Sequence, residues 1–151
     1  MLRRMDEEGR PLTDKDIEWA ESQLGFRLPR DYRDFLLSHN GGRPEPELFP
    51  IHGLAKNPVG ALQVFFGIDS EIESSDLLWN VEVMAGRLPA NCLPIACDNS
   101  GDLICLSLYG PDAGSVLFWD YYGEQPGPIR GYENVYKIAE SFGEFLNALH
   151  G

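Results

Sequence analysis

Apolar residues first recur along this chain with a helical period. Ile17, Ala20 and Leu24 fall at i, i+3 and i+7, one face of a helix. Thr13 stands three residues before Asp16, a capping-box-like start, and Gly25 supplies a stop. Pro29 suits the first turn of a second helix, on which Tyr32, Phe35, Leu36 and His39 share a face. Asn40-Gly41-Gly42 ends that helix, because glycine tolerates the left-handed cap geometry. Residues 43–58 hold Pro44, Pro46, Pro50 and Pro58 and read as a loop with a short extended piece at Leu48–Ile51.

The pattern then turns to strand formers. Ala61–Ile68 reads as a strand. Ser75 is the expected cap of a third helix over Asp76–Ala85, with Leu77, Leu78 and Val81 inward and Gly86 as its end. Three strands follow at hairpin spacing: Leu93–Cys97, Leu103–Leu108 and Ser115–Tyr121, joined by turns at Asp98–Gly101 and Gly110–Gly114. Gly123–Gly131 is turn-rich. A closing helix begins near Ser141, with Phe142, Phe145, Leu146 and Leu149 on one face. Residues 1–12 read as a tail and 13–150 as one domain. Helices at both ends around a central run of strands predict an α+β fold with a mixed or antiparallel sheet.

Composition supports a packed domain. Of 151 residues 43% are hydrophobic, with eight Phe, six Tyr and three Trp, unlike the aromatic-poor composition of disordered chains. The charged N-terminus lacks the apolar run of a signal peptide, and no stretch reaches the roughly 18 apolar residues of a membrane span. Cys92, Cys97 and Cys105 are odd in number and form no CxxC, so neither a disulfide framework nor a zinc site is indicated. A cytoplasmic location is expected.

Charge is unevenly spread. The net charge is −12, from 24 acids and 12 bases. Residues 1–43 carry nine acids and eight bases, whereas 44–151 carry fifteen acids and four bases. Such a field repels nucleic acid, whose binders need Lys and Arg to displace counterions. It attracts a basic protein and speeds the encounter.

The search for catalytic chemistry finds little. His39 lies at a helix end, His150 near the chain end, and His52 in the Pro-rich loop has the one open role. There is no GxSxG elbow and no Gly-rich phosphate loop. The stretch Asp98–Asp102 lacks the spaced ligands of an EF-hand, and Asp and Asn suit a hairpin turn for their own reasons. No cofactor or metal is expected.

Several segments together resemble the SMI1/KNR4 family of the SUKH superfamily. Leu24–Gly42 (LGFRLPRDYRDFLLSHNGG) looks like its Leu-Pro-x-x-Tyr/Phe helix with an Asn-Gly-Gly end. Leu93–Leu108 looks like its Pro-Ile-Ala…Asp…Gly-Asp strand pair. Gly114–Tyr121 resembles its Gly-x-Val-x-x-Trp-Asp strand, and Ser141–Leu149 its closing helix. The matches run in order over about residues 13–150, while Pro44–Gly86 matches poorly. The resemblance implies a non-enzymatic immunity protein that binds a cognate, basic, nuclease-type toxin and occludes it. The alternative it implies is a regulatory scaffold or interaction module. A third reading places an enzyme site around His52. The expected partner is the toxin, with no nucleic acid and no membrane, and the chain is expected to be a monomer or weak dimer. Candidate contacts are loop acids: Glu45, Glu47, Asp69, Glu71, Glu73, Asp98, Asp102, Asp112, Asp120 and Glu124.

Overall fold

The structure, a computed structural model, describes residues 2–51, 59–121 and 134–151. Helix α1 (Asp14–Leu24) starts at Thr13, whose N–H donates to Asp16 Oδ2 at 2.8 Å, and ends at Gly25 with φ 78°. Helix α2 (Arg30–Ser38) follows Pro29 and buries Tyr32, Phe35 and Leu36. These two helices lie where the apolar spacing put them.

The six-stranded sheet has the order β3-β4-β5-β6-β7-β8, antiparallel throughout. Its strands are β3 (Leu48–Pro50), β4 (Val59–Phe65), β5 (Cys92–Asp98), β6 (Leu103–Ser107), β7 (Val116–Trp119) and β8 (Val135–Ala139). Strand β6 is buried along its whole length, as an interior strand covered on both faces should be. Helix α4 (Phe142–Ala148), capped by Ser141, lays Phe142 and Phe145 onto the sheet. There Phe35, Phe65, Phe142 and Phe145 meet ring to ring, with the Phe35–Phe65 and Phe35–Phe142 centroids 4.9 Å apart. Gly60 sits beneath Phe49, so close that a Cβ there would stand 2.4 Å from the ring.

Several elements depart from the sequence reading. The expected tail contains strand β1 (Arg4–Asp6), which pairs with β2 (Arg43–Glu45) and buries Met5. Strand β4 begins two residues earlier than expected and ends at Phe65, where the chain turns toward α3. Helix α3 (Leu77–Val83) is shorter than expected, and its cap is Asp76 rather than Ser75: the Asp76 carboxylate accepts from Trp79 N–H at 3.0 Å. Strand β8 occupies a stretch to which the sequence assigned no element.

Both chain ends tie back to the same short stretch. Arg3 N–H donates to Glu45 O at 2.8 Å, and Leu48 and His150 exchange two backbone bonds of 3.0 and 2.9 Å. A methyl placed on Gly151 would stand 3.7 Å from the Arg3 guanidinium and 3.8 Å from Pro46.

Candidate functional site

The local sequence around Asn40 builds the most developed surface feature. Asn40 is 5% exposed. Its Oδ1 accepts from Ile68 N–H at 2.7 Å, and its Nδ2 donates to Arg10 O and Ile68 O, both at 3.0 Å. Its backbone O accepts from Gly9 N–H at 2.9 Å. One residue thus joins three segments: residues 9–10, the end of α2, and the chain leaving β4. Gly41 follows with φ 72°, and a Cβ there would fall 2.7 Å from Phe65 O, so only glycine fits.

This junction borders a groove of about 670 Å³. Residues 7–10 with Gly42 and Arg43 line one part, and residues 69–72 with Ser74 and Ser75 line another. Gln63, Val64, Phe65, Gly67 and Cys97 complete it from the sheet. The loop of residues 69–75 is held from below. The Asp76 carboxylate accepts from Ser70 N–H at 3.0 Å, and Asn80 Nδ2 donates to Ser74 O at 3.1 Å.

Its charges are partly matched. Arg10 bonds Asp69 at 3.2 Å and Asp16 at 3.1 Å, and Arg43 bonds Glu7 at 2.6 Å. The Arg10 guanidinium, helped by the Thr13 N–H, holds the Asp16 carboxyl well below the usual carboxylate range. Glu8 meets His39 Nδ1 at 2.8 Å. The Glu71 and Glu73 side chains make no ion pair among the described residues. Between them stands Ile72, apolar yet 64% exposed.

The ten acids expected as contacts do not form one patch. Asp69, Glu71 and Glu73 share the exposed loop, and the first two line the groove. Glu45 is exposed on β2 and bonds Arg4 at 2.7 Å, and Glu47 is exposed just before β3. Asp112 lies in the β6–β7 turn, paired with Lys137 at 3.3 Å. Asp98 and Asp102 are only 6% and 8% exposed, contrary to their reading as surface contacts. Asp98 Oδ1 accepts from Ser100 and Asp102 N–H at 2.8 and 2.9 Å, and Asp102 Oδ1 accepts from Tyr121 N–H at 2.8 Å. The Asp98 carboxylate therefore binds its own turn, and the Asp102 carboxyl ties that turn to the end of β7. Burial pushes the Asp102 carboxyl up to about 6, against the pull of the Tyr121 N–H, and the Asp98 carboxylate adds to the rise. Asp120 is half-buried at the end of β7. Glu124 and His52 lie outside the described residues.

Sequence reasoning missed Glu7, Glu8 and Arg10, because residues 1–12 read as a tail, and Arg43, because it opens the Pro-rich stretch read as a loop. It missed the bridging role of Asn40, which read as a helix stop. An isolated Ile between two Glu in a loop was the available sign for Ile72.

The cysteines do no visible chemistry. Burial pushes the Cys92 thiol up to about 12 and the Cys97 thiol to about 11, the Asp98 charge adding to the latter. No group of three or more His, Cys, Asp or Glu among the described residues is arranged to hold a metal ion. No helix there is long and apolar enough to cross a membrane.

The chain is similar to known proteins over nearly its whole length. It is 28% identical over 152 residues to the SPbeta prophage-derived uncharacterized protein YokK of Bacillus subtilis (strain 168), covering 91% of this chain and 74% of that one. The family model described as SMI1 / KNR4 family (SUKH-1) matches residues 11–148, from the start of α1 to the end of α4. With four motif segments in order, an α+β core built from them and this match, the chain belongs to the SMI1/KNR4 family (SUKH-1).

Proposed function

We propose that this protein is an immunity protein, which binds a cognate toxin of a polymorphic or contact-dependent toxin system in the cytoplasm and neutralises it by covering it. SUKH proteins are generally immunity proteins of toxin systems. The observation that carries the proposal to a particular surface is the loop of residues 69–73. Its exposed carboxylates flank an exposed Ile72 and stand beside a preformed groove. Apolar contact ringed by charge is the composition of an interface, whose core excludes water and whose rim sets register and on-rate.

A partner suited to this surface is basic. A nuclease-type toxin fits, since its substrate groove must carry Lys and Arg to hold phosphates. An acidic protein seated there blocks the substrate by charge and by bulk. Of the acids expected from the sequence, Asp69, Glu71 and Glu73 are retained as contacts. Glu45, Glu47 and Asp112 contribute to the field around them, and Asp98 and Asp102 are assigned to loop structure.

Co-expression with the protein encoded by the neighbouring gene tests the proposal. Cells carrying both are expected to survive, and the two proteins to co-elute at low salt. Death at the rate seen without this chain, with no complex at low salt, would discard the immunity reading in favour of a regulatory scaffold.

A further inference from the structure

The groove beside the acidic loop has a lining of two characters. Val64 and Cys97 are half-buried strand residues, and Ile72 is an exposed apolar side chain at the rim. Around them stand four carboxylates, those of Glu7, Glu8, Asp69 and Glu71, against the guanidiniums of Arg10 and Arg43. Each guanidinium already bonds a carboxylate of the chain itself. The lining is therefore negative in balance, with apolar surface within reach of the acids.

Few side chains match both characters. A purely apolar segment would strip water from the carboxylates without replacing it. An acidic segment or a nucleic acid strand would meet like charge. Lysine and arginine bury an apolar stem and keep a cation at the tip. At about 670 Å³ the groove has the capacity of a ligand site, which typically spans roughly 300–1,000 Å³.

The groove is also set before a partner arrives. Asn40 ties residue 10 to residue 68, and Asp76 and Asn80 hold the 69–75 loop. Among the described residues, the two non-glycine positions with positive φ are Glu7 at 57° and Asp69 at 58°, and both line the groove. Preorganised carboxylates lose less freedom on binding than flexible ones.

We infer that this groove receives a Lys- or Arg-bearing segment of the protein partner, its cations at the carboxylate rim and its stems on Val64, Cys97 and Ile72. The segment's chemistry follows from the lining; its assignment to a toxin rests on the immunity reading above.

Cys97 is a built-in reporter, since Cys92 and Cys105 are buried and Cys97 alone of the three lines the groove. Maleimide labelling of Cys97 can be followed by mass spectrometry with three additions: a blocked peptide alternating Ala and Arg, the same peptide with Gln for Arg, and the protein encoded by the neighbouring gene. The Arg peptide at saturation is expected to slow labelling about tenfold, and the Gln peptide to leave it unchanged. The variant Glu71→Lys is expected to weaken binding of the Arg peptide about tenfold, because a repulsion replaces an attraction. Unchanged labelling under saturating Arg peptide, equal slowing by both peptides, or full protection in Glu71→Lys each overturn the inference. A neighbouring-gene protein that forms a complex yet leaves Cys97 labelling unchanged overturns the groove assignment and spares the immunity reading. Protection by the Arg peptide without any such complex supports the groove and counts against that reading.

Discussion

Asn40 does more than end a helix. Its side chain makes three hydrogen bonds, two of them to the buried backbone of Ile68. Asn40→Ala leaves that N–H and C=O without partners, and each unmet buried group costs about 1–3 kcal/mol. The variant is expected to lose about 3 kcal/mol in urea unfolding and to loosen the groove as well. Asp102 makes the opposite kind of contribution. Its carboxyl is raised from the ordinary 3.8 to about 6, so the folded state holds the proton more tightly than the unfolded chain does. Stability from this group is therefore full below about pH 4 and is lost as pH rises through about 6. Asp102→Asn keeps an acceptor for Tyr121 N–H and cannot ionise. Its melting temperature is expected to decline less between pH 4 and pH 6 than that of the parent, as calorimetry across that window would read.

Among the elements, the sheet shows most directly what sequence patterns can convey. The β5–β6 hairpin was legible because Asp98-Asn99-Ser100-Gly101 announces a turn between two apolar runs, and Gly101 takes φ 88° there. Strand β8 was not legible, since Lys137 interrupts it and its first residues are only half-buried. Strand β1 has three residues with one inward, too few for a period to appear. The site was legible as charge and not as place. Asp98 and Asp102 carry the composition of a surface turn, yet tertiary packing closes over them; Glu7 and Glu8 carry that of a tail, yet β1 pairing brings them to the groove. The β3–β4 pair depends on a specific fit, the Phe49 ring over Gly60. Gly60→Ala is expected to cost about 1–3 kcal/mol through overpacking. Combining it with Phe49→Leu should return part of that loss, and a double-mutant cycle in denaturant would measure the coupling.

For the whole molecule, the −12 net charge acts at a distance that local contacts do not. Association with a basic partner is expected to be fast at low salt and to slow steeply as the Debye length shrinks from about 30 Å at 0.01 M to about 8 Å at 0.15 M. Stopped-flow rates should show this while dissociation changes little. Rates indifferent to salt would mean that the field does not steer the encounter. The return of both chain ends to residues 43–50 has a topological consequence. With Gly151 beside Arg3 and Pro46, a short peptide could join the termini into a circle. The ring could then be opened in the exposed β6–β7 turn, at the end of β6 opposite its pairing with Cys97, giving a permuted chain that keeps every strand neighbour.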